Sequence, residues 1–114
     1  MDLHNKRVFL SGPMSDREDY HVADFALAHH RIKALAPIEV YDPAIEYLRS
    51  RCDQSHEGWM RECIRRLMNA GNGYQYDVLV QLPGWESSEG ARLEADVAKA
   101  TGIQVVTLAE VLEQ

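Results

Sequence analysis

The chain has 114 residues, 46% hydrophobic and 26% charged, with a net charge of −6. That is room for one domain and one core, and an acidic balance argues against a nucleic-acid polyanion as the main partner, although a single helix N-terminus can still hold a small anion. No apolar run approaches the ~18 residues of a membrane span, Met1 to Arg7 lacks the apolar stretch of a signal peptide, and Cys52 and Cys63 have neither the spacing nor the context of a disulfide or zinc site, so a cytoplasmic protein with no metal and no membrane partner is expected.

In chain order, Arg7-Val8-Phe9-Leu10-Ser11 reads as a short strand ending at Gly12-Pro13. Ser15-Asp16-Arg17-Glu18 matches a capping box, a serine with a glutamate three residues on. Behind it Val22, Phe25, Ala26, His29, Ile32 and Leu35 recur at helical spacing. Ile38 to Tyr41 is a second strand, stopped by Asp42-Pro43. Residues 44 to 57 are polar and read as loop, or as loop with a short helix around Ile45 to Arg49. A helix is predicted from Gly58 to Asn69, with Met60, Cys63, Ile64, Leu67 and Met68 as its stripe and Gly71 and Gly73 ending it. Asp77 to Leu82 is the third strand. A helix from Ala91 to Ala100, a last strand from Ile103 to Leu108 and a short helix from Ala109 to Glu113 complete the chain.

Strands alternating with helices imply βαβ units, a parallel sheet and right-handed crossovers. The strands are nearly all apolar, as expected when both faces are covered. No repeat or linker divides residues 1–114. Ligands of such sheets sit outside the carboxyl ends of the strands, so the turns Ser11 to Met14 and Pro83 to Gly90 are the candidate site.

Glu94 falls in the helix that leaves the second of these turns. With Ser87 or Ser88 as N-cap, its neighbours at three and four residues are Gly90, Ala91, Val97 and Ala98, all small or apolar. Glu94 therefore shares the face that meets the sheet, where a carboxylate is costly unless paired. It is too far from either serine for a capping box. Two readings stand: a solvated edge residue paired with Arg92 or Lys99, or a reactive carboxylate at the ligand edge. A carboxylate in a small, dry surround suits attack on an anomeric carbon and a covalent glycosyl intermediate.

Across nearly the whole chain, in order, Val8 to Met14, Phe25, Val40 to Ala44, Trp59-Met60-Arg61, Asp77, Leu82 to Glu86 and Ser88 to Ala91 with Glu94 resemble the nucleoside 2-deoxyribosyltransferase-like superfamily, and most of all its short members found in phages and bacteria. The resemblance implies an α/β, single-domain, flavodoxin-like or Rossmann-like parallel sheet of about four to five strands flanked by helices. It implies cleavage of the N-glycosidic bond of a nucleoside or nucleoside 5′-monophosphate, by hydrolysis or base exchange, without a cofactor. It makes Glu94 the catalytic nucleophile. It puts Phe9, Ser11, Gly12, Pro13 and Met14, the loop Pro83, Gly84 and Trp85, and the helix start Ser87, Ser88 and Gly90 against the substrate, the last three receiving a 5′-phosphate. It also implies a homo-oligomer, dimer or tetramer. Two positions depart from the superfamily pattern: Phe9 stands where a tyrosine is common, and Cys63, beside Glu62, stands where an aspartate serves the leaving base. The alternatives are therefore a catalytically weakened nucleotide-binding module, or an oligomeric interaction protein with a vestigial pocket.

Elsewhere the expectations are plainer. Trp85 is favoured over Trp59 for stacking on a base, Trp59 reading as core or interface. Asp42 reads as a turn residue before proline, and Asp77 either as a site residue or as a partner for backbone donors. His29 and His30 point apart, and His4, His21 and His56 form no ligand spacing. Arg61, Arg65 and Arg66 suit either a phosphate or a solvated helix face.

Overall fold

A computed structural model describes residues 1–14, 21–49, 55–71 and 73–113. Strands β1 (Arg7–Ser11), β2 (Glu39–Tyr41), β3 (Val78–Gln81) and β4 (Gln104–Thr107) form one sheet in the order β2-β1-β3-β4, with every neighbouring pair parallel. Helices α1 (Val22–Lys33), α2 (Pro43–Arg49), α3 (His56–Met68), α4 (Glu89–Ala100) and α5 (Leu108–Leu112) flank it, with a 3₁₀ turn at Trp85–Ser87. This is the expected α/β fold, built on four strands. The order reverses between β1 and β3, the switch point of a doubly wound sheet. Among the described residues no helix is long and apolar enough to cross a membrane.

Strand alternation divides the core. Val8, Leu10, Val78, Val80 and Val106 face α1 and α5, packing on Phe25, Ala28, Ile32 and Val111. Phe9 and Leu79 face the other way, toward Leu67 of α3 and Ala98 of α4. Tyr41 stands in register with Phe9 and stacks on it, ring centroids 4.8 Å apart. Tyr76 meets the Phe9 ring edge-on at 5.4 Å. Both faces being covered, the strands are apolar throughout.

The helix ends follow local hydrogen bonding. Ser55 Oγ accepts from Gly58 N at 3.1 Å, so α3 starts at His56, two residues before the predicted Gly58. Asp42 Oδ1 accepts from Ala44 N at 3.1 Å, so the turn that stops β2 also starts α2, with Pro43 at a position where no N–H is needed. The segment read as loop or short helix is thus helical to Arg49. Thr107 and Glu110 form a capping box that ends β4 and opens α5 one residue earlier than expected. The buried stripe of α1 is Phe25, Ala28 and Ile32; Ala26 is exposed and His29 half-buried, because the sheet meets a face rotated from the one the spacing suggested. In α3, Trp59 is buried, in keeping with its reading as core or interface, whereas Met68, read as part of the stripe, is exposed. The capping box at Ser15 to Glu18 lies outside the described residues.

At the carboxyl ends of β1 and β3 the two chains nearly touch. A Cβ on Gly12 would stand 2.9 Å from Leu82 Cβ, and Leu82 N donates to Ser11 O at 2.8 Å. Only glycine permits this approach, and it draws the loops after β1 and β3 together.

Phe9 is fully buried between two tyrosine rings. Phe9→Ala is expected to lower stability by about 3–5 kcal/mol, read as a lower urea midpoint at unchanged slope.

Candidate functional site

Ser88 is the N-cap of α4: its Oγ accepts from Ala91 N at 3.2 Å. Ser87 instead closes the 3₁₀ turn, donating its hydroxyl to Gly84 O at 3.0 Å. From that start the buried face of α4 runs Ala91, Glu94, Ala95, Ala98. Glu94 is therefore in the interior, only 6% exposed, while Arg92 and Lys99 point to solvent. The solvated-edge reading is excluded.

Ser11 ends β1 on the face that carries Phe9. Its hydroxyl donates to Glu94 Oε1 at 2.6 Å. The Cys63 thiol, on α3, also donates to this carboxylate. Burial penalises the charged form and raises the Glu94 pKa to about 7, against the opposing pull of Ser11 and then Cys63. Three elements that are remote in sequence thus converge on one carboxyl group.

Helices α3 and α4 both run antiparallel to the strands and lie side by side. His56 Nε2 stands 4.0 Å from Glu89 Oε2, a Cβ on Gly90 would meet Met60 Sδ at 2.8 Å, and Cys63 meets Glu94. Between them and the loop after β1 is a cavity of about 60 Å³. Gly12 and Met14 form its roof, Ser88, Gly90, Ala91 and Glu94 line it from α4, and Trp59, Met60 and Cys63 line it from α3. A recess of about 230 Å³ adjoins it at the N-terminus of α4, sharing Met14, His56, Ser88 and Gly90 and adding Pro13, Ser87 and Glu89. With Ala91 N taken by Ser88, the first N–H groups of α4 give this recess donors and the positive end of a helix dipole.

The structure brings Ser11, Gly12, Met14, Ser88 and Gly90 together around Glu94, with Pro13 and Ser87 on the adjoining recess. Phe9 lies in the core, one residue pair deeper along β1. Pro83 lines a different cavity, of about 230 Å³, with Phe25, Leu82 and Leu108 on the opposite face of the sheet. Gly84 packs on Pro13, and Trp85 lines neither the Glu94 cavity nor the recess. The indole at the cavity is Trp59, held edge-to-face by Tyr47 at 4.9 Å. Asp77 lies at the other end of the sheet, accepting from Arg7 N at 2.8 Å. Asp42 caps α2, and its second oxygen stands 3.4 Å from His29 Nδ1. Glu62 pairs with Arg65 outside the cavity, so Cys63 is the α3 residue that faces Glu94.

Sequence reading missed His56, Trp59 and Pro43 as cavity residues. The spacing 56, 59, 60, 63 is one helix face, but His56 fell in a stretch left undecided and the others read as core. Tyr41 lies outside this cavity, stacked on Phe9. Burial, then Cys63, raises its pKa, and it remains a neutral phenol in the field of Glu94.

A parallel α/β sheet with a buried, hydrogen-bonded carboxylate at its switch point, beside a helix N-terminus, defines an α/β domain with a built polar site. The chain belongs to the DUF4406 family, a domain of unknown function whose model matches residues 6–107, β1 through β4. No curated protein and no solved structure matches it.

Because the Glu94 pKa is higher folded than unfolded, the native state holds a proton that the unfolded chain releases. Stability then falls as pH rises from about 4.5 to about 7, and the penalty is complete above that. Glu94→Gln removes it: a gain of about 3 kcal/mol is expected at pH 8.5 and little at pH 4.5, measured by urea unfolding. Ser11→Ala deletes a donor to the carboxylate, so the Glu94 titration should move above its present midpoint, read by carbon NMR of labelled glutamate.

Proposed function

We propose that the protein cleaves the N-glycosidic bond of a nucleoside or nucleoside 5′-monophosphate, with Glu94 as the nucleophile. The observation that carries this is the placement of Glu94: buried at the switch point, in a cavity, with Ser11 and Cys63 as its partners and no cation beside it among the described residues. A structural carboxylate gains little there, whereas a nucleophile gains reactivity from exclusion of water. One carboxylate oxygen is held by Ser11, and the other attacks C1′ as the bond to the base breaks. Water, or a second base, then resolves the glycosyl ester. The chemistry calls for no cofactor.

Ser88, Gly90 and the free N–H groups of α4 suit the sugar hydroxyls or the 5′-phosphate, since a helix N-terminus favours an anion. The flat face of Trp59 suits the base. Resemblance to the nucleoside 2-deoxyribosyltransferase-like superfamily supports the same reading. Tyr41, in register beside Phe9, brings a phenol to the face where that superfamily commonly has a tyrosine on the first strand. A cytoplasmic homo-oligomer, dimer or tetramer, is proposed on the same resemblance. Phe9 and Cys63 favour a second reading, a nucleotide-binding module without turnover.

Incubation with the eight common ribo- and deoxyribonucleoside 5′-monophosphates and their nucleosides, followed by chromatography for free base, tests the proposal. Base release is expected from at least one, abolished in Glu94→Ala. Its rate should climb as pH rises toward about 7 from the acid side, because the carboxylate is the reactive form. Absence of free base throughout, or equal release by Glu94→Ala, overturns the reading.

A further inference from the structure

We propose that His56 is the acid that hands a proton to the departing base. This rests on the reading of Glu94 as the nucleophile. When C1′ is captured by a carboxylate, the electron pair of the glycosidic bond passes to a ring nitrogen. A heteroaromatic anion leaves poorly, and a positioned proton donor is worth about 10²–10⁴-fold.

The donor must stand across the bond from the nucleophile. Glu94 is on α4, and the wall facing it is α3, which contributes His56, Trp59, Met60 and Cys63 to the cavity. Of these only His56 and Cys63 carry a proton suited to transfer. The Cys63 thiol is directed at Glu94 and is buried, 3% exposed, so its proton is already committed to the nucleophile. His56 is different. Its side chain is 51% exposed and lines both the Glu94 cavity and the adjoining recess, so it reaches bound substrate and reloads from water.

Helix register gives the span. Because α3 and α4 run side by side in the same direction, Cys63 marks the level of Glu94 and His56 lies seven residues nearer the opening, about 10 Å along the axis. That separation matches C1′ against Glu94 followed by a base ring below the imidazole, with the flexible Met60 side chain, packed on Gly90, at the level between them. Glu89 Oε2 stands 4.0 Å from His56 Nε2, which places a carboxylate beside the imidazole at the mouth of the cavity.

The protons and electrons balance without a further reagent. A Glu94 oxygen bonds to C1′, the C1′–N bond breaks, and the imidazolium proton of His56 goes to the base. Water then attacks C1′, Glu94 leaves, and the neutral imidazole takes the water proton, restoring both groups.

The test compares leaving groups. The best-cleaved nucleoside 5′-monophosphate is set against 4-nitrophenyl 2-deoxyribofuranoside 5-phosphate, whose phenolate departs without a proton, in wild type, His56→Gln and Glu94→Gln. His56→Gln is expected to lose about 10²–10⁴-fold on the nucleotide and to change little on the nitrophenyl glycoside, with an unaltered melting temperature, while Glu94→Gln loses both. Equal loss on both substrates, no loss on either, or a wild type that cleaves only the nitrophenyl glycoside would each overturn the role of His56 and leave Glu94 as nucleophile. A wild type that cleaves neither overturns the glycosidic reading itself.

Discussion

Glu94 and Ser11 meet 83 residues apart in sequence, at 2.6 Å, in the interior of the carboxyl-terminal edge of the sheet. A carboxyl group taken out of water is costly unless hydrogen bonds replace its hydration. Here Ser11 and the Cys63 thiol supply them, and the remaining cost shows as a pKa raised to about 7. Against a total stability of roughly 5–15 kcal/mol for a domain of this kind, a penalty of that order is substantial. The arrangement around it depends on the contact. Ser11 is at the end of β1 on the α3–α4 face, the loop after it turns across Gly12, and α4 starts at Ser88 so that Glu94 arrives one turn before the alanines that touch the sheet.

The two ends of the sheet are built differently. At the amino end Arg7 carries the work: its N–H donates to Asp77, its guanidinium pairs with Glu39 at 3.2 Å and lies 4.0 Å over the Tyr74 ring. At the carboxyl end the polar groups surround a cavity instead. The free N–H groups of α4, His56 and the Glu94–Ser11–Cys63 cluster share a space small near the carboxylate and wider toward solvent. This is where doubly wound sheets bind ligands, because loops and helix N-termini gather at the switch point. The close approach of α3 and α4 at Gly90 and Met60 sets the width of that space.

Much of this was legible from residue order. The strands were, because apolar runs bounded by Gly, Pro and Asp leave few alternatives, and the parallel α/β class followed from their alternation with helices. Boundaries moved where a cap decided them, as at Ser55 and Asp42, whose side chains turn a stretch read as undecided into helix. Faces moved where periodicity was ambiguous: Ala26 and Ala28 both fit a stripe with Phe25, and contact with the sheet chose Ala28. Trp85 and Trp59 illustrate the harder case. Trp85 neighbours the site in sequence, but the 3₁₀ turn carries it away from the cavity, while Trp59 reaches it from the facing helix.

The sequence by itself determined that Glu94 has small or apolar neighbours on a helix that opens near Ser87, Ser88 and Gly90, and that this helix follows a strand in a parallel sheet. Those are local properties, set by a 3.6-residue period, a cap and a glycine. Tertiary structure alone decided what faces the carboxylate. Periodicity tells which side of a helix is buried but not what stands opposite, and the facing groups come from β1 and α3, joined to α4 only through the sheet order β2-β1-β3-β4 and the parallel run of α3 beside α4. Burial, the partners Ser11 and Cys63, the raised pKa and the placing of His56 on the opposite wall all arise from that assembly, because desolvation and hydrogen bonding act through space rather than along the chain.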